Sequence, residues 1–237
     1  MSIFTEEELD RYHRQMILPE IGIAGQKKLK NAKVLVVGAG GLGCPVLLYL
    51  CAAGVGTIGI IDFDKIELHN LHRQVLYSAM DVGKPKAETA ADILKVKNPN
   101  VSFLVFNDIL NRKNSIQIIS QFDIIVDGSD NFPTRYLVND TCVELKKTVV
   151  YGSIFNFEAQ LAVFNYNGGN NLRDIYPEPP DPEDEPGCNE NGVLGVVPGI
   201  LGIYMANACI QVILGTYNNN NLLLFDFKQF SLVKLVM

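Results

Sequence analysis

The sequence predicts an α/β fold whose single sheet is mainly parallel in the N-terminal half and continues antiparallel in the C-terminal half. Three observations carry this reading. Short apolar, β-branched runs alternate with helical stretches from Lys33 to residue 146, which implies right-handed crossovers onto a parallel sheet. The first run feeds a glycine cluster, VLVVGAGGLGCPVLLYL (34–50), that opens a helix. After residue 147 the crossover rhythm stops, and strand-like segments surround one long apolar helix.

The elements follow in order. Leu9, Tyr12, Met16 and Ile17 recur at helical spacing, so residues 5–21 predict an amphipathic helix, with a short helix near 24–30 behind it. Lys33–Val37 is the first expected strand, the glycine turn opens a helix over 42–53, and Thr57–Ile61 is a second strand ending in Asp62-Phe63-Asp64. NLHRQ (70–74) reads as a loop, followed by a helix at 84–96, a strand at 101–106 and a helix near 111–120. Asp123–Val126 predicts a strand and 132–146 a helix. Beyond them, Thr148–Tyr151, Ala159–Phe164, Leu222–Phe225 and Ser231–Leu235 predict strands, the last two forming a hairpin despite a weak turn signal near Lys228. A hydrophobic helix spans 198–214. PEPPDPEDEPG (177–187) predicts a surface loop, either a solvated connection or a gate.

Composition narrows the function. The 237 residues suffice for one sizeable α/β core, and 48% of them are hydrophobic. No apolar stretch reaches the roughly 18 residues that suggest a membrane span. The charged start, MSIFTEEELDRYHRQ, does not resemble a secretory signal. Five scattered cysteines form no disulfide framework, so a reduced, cytoplasmic setting is expected. A net charge of −6 argues against nucleic-acid binding, yet leaves room for one nucleotide held by a few placed cations.

Gly38, Gly40 and Gly43 match the G-x-G-x-x-G pattern between a strand and a helix. Gly38 permits the tight turn, Gly40 lets backbone amides approach a phosphate, and Gly43 allows close packing of helix on strand. The bland alternative is a turn that only packs. Asp62 lies at the end of the second strand, where a carboxylate commonly accepts from ribose hydroxyls. Asp64 reads better as an exposed turn residue than as a second ligand. Up to here an NAD enzyme and an ATP enzyme are equal. Arg73 and Lys86 separate them, because a triphosphate needs more positive charge than a dinucleotide's pyrophosphate. Asp130, in DGSDN (127–131), stands just past a strand end, placed either to hold Mg²⁺ beside phosphates or, like Asp127, to cap the helix that follows.

Seven blocks together resemble the ThiF/MoeB/HesA family, bacterial relatives of ubiquitin-activating enzymes: RYHRQMILPEIG (11–22), VLVVGAGGLGCP (34–45), GVGTIGIIDFD (54–64), NLHRQVLY (70–77), VGKPKAE (82–88), DGSDNFPTRY (127–136) and GCNENGVLGVVPGILG (187–202). The resemblance covers nearly the whole chain. It implies a Rossmann-like ATP-binding fold in one domain over 1–237, with N-terminal helices (1–31), a nucleotide-binding half (32–147) and a carrier-protein-binding half (148–237). It also implies adenylation of the C-terminal glycine of a small ubiquitin-like sulfur-carrier protein, with release of pyrophosphate. Carried over residue by residue, Gly41 lies by the nucleotide, Asp62 holds the ribose, Asn70, Arg73 and Lys86 contact phosphates, and Asp130 organises Mg²⁺. Gln74 and Asn131, inside two of the blocks, complete the expected nucleotide-binding set with Gly38, Gly40, Gly43 and Asp64. Arg14 is expected to reach the phosphates of a neighbouring subunit, which makes a homodimer part of catalysis. His13, His69 and His72 read as packing or surface residues.

Two departures matter. Many relatives hold a structural zinc with two C-x-x-C pairs, and here no cysteine stands in NLRD (171–174) or after Leu235. Four-thiolate zinc needs all its ligands, so no structural zinc is expected. Cys188, in a GC-x-x-x-GVLG context, matches a cysteine that in such relatives bonds covalently with the activated carrier; the alternative is an incidental loop thiol slowed by neighbouring acids. Cys44 reads as a packing residue. The YPEPPDPEDEPGC segment is more similar to ThiF, which serves a ThiS-like carrier in thiamine thiazole synthesis, than to MoeB, which serves a MoaD-like carrier in molybdopterin synthesis. A non-catalytic partner subunit, activation of a carboxyl group on a modified tRNA base and an NAD redox enzyme are the weaker readings.

Overall fold

The computed structural model describes residues 3–180, 192–218 and 220–237. Five strands run parallel: β1 (Lys33–Val37), β2 (Thr57–Ile61), β3 (Ser102–Phe106), β4 (Ile124–Asp127) and β5 (Thr148–Phe155). Three more, β6 (Glu158–Phe164), β7 (Asn221–Asp226) and β8 (Ser231–Val236), add antiparallel to β5. The strands form one eight-stranded sheet in the order β3-β2-β1-β4-β5-β6-β7-β8. Parallel and antiparallel halves are therefore continuous, as the sequence predicts.

The sheet separates two apolar cores. β1 shows why: Val34 and Val36 point into one core, while Leu35 and Val37 point into the other, so KVLVV is buried on both faces. One core is filled from α3 (Gly43–Ala53), α4 (Lys86–Lys97) and α8 (Val196–Leu214). The other is filled from α5 (Ser115–Ile119) and α6 (Phe132–Leu145). Among the described residues, α8 is the helix long and apolar enough to cross a bilayer by length and composition, which corrects the expectation that no stretch qualifies. Half of its apolar window is nevertheless buried inside the protein.

Several boundaries moved for identifiable reasons. The helix expected over 5–21 ends early, as α1 (Glu6–Met16), because Pro19 disfavours helical geometry at Leu18 and supplies no N–H, while the short helix expected near 24–30 is α2 (Gly22–Asn31). Of its expected apolar face only Tyr12 is buried among Leu9, Tyr12 and Ile17; the remaining buried member of α1 is Glu8, ion-paired at 2.7 Å with Lys30 on α2. The helix expected at 111–120 shrinks to α5, because the Asn111 and Asn114 side chains accept from backbone amides of the preceding turn. The hairpin joining β5 and β6 turns on Asn156 and Phe157, with Asn156 at φ 54°. In the β7–β8 hairpin, the Asp226 carboxylate accepts from the amides of Lys228 and Gln229, the local signal that the weak turn hid. A short helix unforeseen in the sequence, α7 (Leu172–Ile175), starts at Asn171, whose side chain accepts from the Arg173 amide.

Candidate active site

The chain order of the parallel strands reverses between β1 and β4, and ligands in such sheets bind at the carboxyl ends beside that point. Val37 pairs in register with both Ile61 and Asp127, so the residues after β1, β2 and β4 leave the sheet at one level. A cleft of about 970 Å³ opens there. It is lined by Gly38, Gly40 and Gly41, by Asp62 and Asp64, by Asn70, Arg73 and Gln74, and by Lys86, Asp130 and Asn131. The fold thus brings to one wall seven residues read from pattern and four, Gly41, Asn70, Gln74 and Asn131, implied by the family resemblance.

The glycine turn is built as its spacing requires. Gly38 has φ +89°, and a Cβ there would lie 2.9 Å from the Gly128 carbonyl oxygen. A Cβ on Gly43 would sit 1.9 Å from the Gly38 oxygen, so any side chain would push α3 off the turn. At Gly41 the nearest neighbour is Pro198 of α8, with ring carbons 3.2 and 3.3 Å from a Cβ built there. Close approach at Gly41 therefore has an additional cause, the start of α8.

Asp62 locks the turn to β2. Its two carboxylate oxygens accept from the Ala39 and Asp64 amides, each at 2.8 Å. Burial pushes the Asp62 carboxyl above its ordinary pKa, against the pull of the Ala39 amide and the Lys86 charge. Lys86 is the first residue of α4 and is 5% exposed. Its Nζ lies 2.7 Å from Asp64 Oδ2, so Asp64 is a counterion in the cleft wall rather than the simple exposed turn residue expected. The Tyr77 hydroxyl, 2.9 Å from the Ala39 carbonyl and 3.2 Å from that of Lys86, joins the turn to α4; its sequence context offered no signal for this.

Asn70 and Gln74 are buried in the turn after Asp64. The Gln74 side-chain oxygen is buried without a hydrogen-bond partner. Arg73 is partly exposed, and its Nη1 donates to the His69 carbonyl at 3.3 Å. At the β4 end, the capping role expected for Asp127 or Asp130 belongs to Asn131, whose side-chain oxygen accepts from the Thr134 amide at 2.9 Å. Asp127 is instead buried, accepting from the Ser129 amide and hydroxyl. Asp130 is left as an exposed carboxylate on the cleft, 3.3 Å from the Asn131 side-chain nitrogen.

Arg14 lies exposed on α1 and does not line the cleft of its own chain. His13, His69 and His72 are all surface side chains, so none packs. Cys44 is buried, donates to the Ala39 carbonyl, and has its thiol pushed up to about 12 by burial. Cys188 lies outside the described residues. Sequence reasoning also passed over Arg135, a buried cation in the cleft wall, and Arg173. Arg173, in the NLRD segment, pairs with both Asp140 oxygens at 2.8 and 2.9 Å, donates to the Pro177 carbonyl and lies over the Tyr136 ring. The Tyr136 hydroxyl in turn lies 2.9 and 2.8 Å from the Tyr176 and Glu178 carbonyls, so residues 171–178 are tied down on α6 as one wall of the cleft. Among the described residues no group of three or more His, Cys, Asp or Glu side chains is arranged to hold a metal ion.

The model of the ThiF family matches residues 12–236. A sulfur carrier protein adenylyltransferase of Thermus thermophilus is 48% identical, over 99% of this chain and 89% of its own length. The adenylyltransferase and sulfurtransferase MOCS3 of Danio rerio is 47% identical over 95% of this chain, which spans only 50% of that protein. Among solved structures, Escherichia coli MccB with ATP superposes with a TM-score of 0.84 at 25% identity, covering 96% of this chain and 71% of MccB.

Proposed function

The chain belongs to the ThiF family, and from that premise we propose that it is an adenylyltransferase that activates the C-terminal glycine carboxylate of a small ubiquitin-like sulfur-carrier protein with ATP. The observation that carries this reading is the charge arrangement around the glycine turn. Lys86, Arg73, Asp62 and Asp130 line one continuous cleft; in this reading the two cations are assigned to the phosphates, Asp62 to the ribose and Asp130, past the end of β4, to the metal side. That is more cation than a dinucleotide needs and suits a triphosphate.

The chemistry asks for positioning rather than proton transfer. A C-terminal carboxylate is ionised at neutral pH, so no general base is needed. That agrees with a cleft wall in which the one histidine, His69, is a surface side chain. The carboxylate oxygen attacks the α-phosphorus, the bond from that phosphorus to the bridging oxygen breaks, and pyrophosphate leaves with the electron pair. Both reactants are anionic, so Lys86 and Arg73 lower the barrier by offsetting charge, and the cleft by holding the attack in line. The buried, unpartnered Gln74 oxygen and the Cβ-free Gly40 beside it fit a polar ligand at the turn. One exposed carboxylate, Asp130, fits Mg²⁺ bound chiefly through phosphate oxygens and water, and that ion would supply further charge neutralisation.

Carrier-dependent ATP–pyrophosphate exchange tests the reading. Exchange with a ThiS-like or a MoaD-like carrier ending in Gly-Gly is the expected result; its absence with both refutes the proposal. The faster carrier decides between thiamine and molybdopterin chemistry, and the MOCS3 relative gives the second a specific claim. Homodimerisation with Arg14 acting across the interface predicts that mixing inactive Arg14→Ala and Lys86→Ala subunits restores partial activity. Unchanged sulfur transfer in Cys188→Ser would retire the covalent role of that thiol.

A further inference from the structure

We propose that Arg135 is a positioning residue for adenylation, holding the β4–α6 loop that carries Asp130 in fixed geometry against strand β5. This inference rests on the adenylation reading above. The side chain sits where the nucleotide end of the cleft meets the C-terminal half of the sheet. Its Nη1 donates to Ser153 Oγ on β5 at 2.6 Å and lies 3.4 Å from the Tyr151 hydroxyl. Its Nη2 donates to the Ser129 carbonyl, one residue before Asp130, at 3.3 Å. Phe132 and Tyr151 flank the guanidinium, with ring centroids 5.3 and 5.7 Å away. One planar group therefore spans the loop and the strand, a task its fork geometry allows and an ammonium cannot perform at both ends.

A filler of this space would not need a charge. Arg135 is 7% exposed, and its Nε is buried with no hydrogen-bond partner, so the site bears the cost of a desolvated and incompletely satisfied cation. The Arg135 charge acts in turn on the buried Asp127, which accepts from Ser129 inside the same loop: burial pushes the Asp127 carboxyl above its ordinary value and Arg135 opposes that push. Loop, cation and strand form one unit, and both Asp130 and the β5 side of the cleft take their place from it. A carrier tail attacking an α-phosphate has to satisfy both at once.

The test uses Arg135→Lys, Arg135→Gln and Ser153→Ala in the full chain, with thermal unfolding as the check on folding. Arg135→Lys is expected to bind ATP within about threefold of wild type, while kcat for carrier-dependent exchange falls about 100-fold, the scale of a small misplacement at a reacting centre. Ser153→Ala, which removes only the β5 anchor, is expected to lower kcat about fivefold with ATP affinity unchanged. If the Arg135 variants do not fold, Ser153→Ala decides alone. Exchange within twofold of wild type in the folded variants overturns the proposal. So does a parallel loss of ATP affinity and kcat, which would make Arg135 part of the nucleotide-site framework. If wild type itself shows no exchange with any carrier, the adenylation reading fails, and amide hydrogen exchange of residues 128–131 tests Arg135 separately. Roughly tenfold faster exchange confined to that loop in Ser153→Ala supports the anchoring; unchanged protection overturns it.

Discussion

The Lys86–Asp64 pair makes an asymmetric prediction. The two partners lie 2.7 Å apart, but the Lys86 side chain is 7% exposed and that of Asp64 is 48% exposed. Removing Lys86 as Lys86→Met leaves Asp64, which water already half solvates, and Asp62, which keeps the Ala39 and Asp64 amides, and takes a buried charge out of the protein. Folding stability should change by less than about 0.5 kcal/mol, or rise. Asp64→Asn leaves the ammonium buried without its closest counterion. In a dry interior that loss costs about 3–5 kcal/mol. Here the cleft admits water and the Asp62 carboxylate still acts on Lys86, so about 1–2 kcal/mol is the better expectation. Urea unfolding without nucleotide at neutral pH measures both variants on one scale. If Lys86→Met proves the more damaging by 1 kcal/mol or more (about the size of the expected gap), the pair is stabilising packing rather than a buried cation awaiting an anion, and the reasoning fails. Function should run the other way: Lys86→Met is expected to lower carrier-dependent exchange about 100-fold or more.

Three further outcomes follow from other parts of the molecule. Burial opposes ionisation of Glu8, but Lys30 and the Thr5 backbone outweigh it and hold the carboxyl below its ordinary value. Its stabilising share is therefore complete above the unfolded pKa of about 4.3 and is lost as pH falls through the lower folded value. Thermal unfolding should show Glu8→Gln about 1 kcal/mol less stable at pH 7, with the difference shrinking as pH falls below the unfolded value; a constant difference would refute the assignment. Arg173→Ala should cost about 0.5–1 kcal/mol, since both partners of its ion pair are partly solvated. The same change should speed limited proteolysis within residues 171–180, and an unaltered cleavage rate would show that the Arg173–Asp140 tie does not hold that wall. At Gly43, Gly43→Ala should lower ATP affinity along with stability, because a Cβ 1.9 Å from the Gly38 oxygen must separate the turn from α3; retained affinity would detach the turn from nucleotide binding.

Legibility differed between parts of the chain for physical reasons. β1 and β2 were readable to the residue because both faces are buried, so their runs are uninterrupted and bounded by polar or glycine residues. The helix over 5–21 misled because an amphipathic period persists across Pro19, and the period is silent about a break in the backbone. Asp64 was undervalued because its partner, Lys86, lies twenty-two positions on and meets it only when α4 docks on β2. Asn131 took the capping role assigned to its neighbours because the start of α6, fixed by packing, decides which of three adjacent polar side chains reaches Thr134. Arg135 carried no local signal at all: a lone arginine in a helix looks like a solvated cation until β5 is placed beside it.

What the sequence determined by itself was the order and type of most elements, the glycine turn and seven of the residues lining one cleft, because these depend on short-range pattern and on the carboxyl ends of strands that lie near in sequence; Gly41, Asn70, Gln74 and Asn131 came from the family resemblance. The tertiary structure decided the roles that need two distant segments: Asp64 as the counterion of Lys86, Pro198 pressed on Gly41, Arg135 bridging loop to strand, and Arg173 tying down the wall over α6. Charge and hydrogen bonding act over a few ångströms. Sequence pattern reports which groups are available, and only the packing of the sheet reports which of them come within that range.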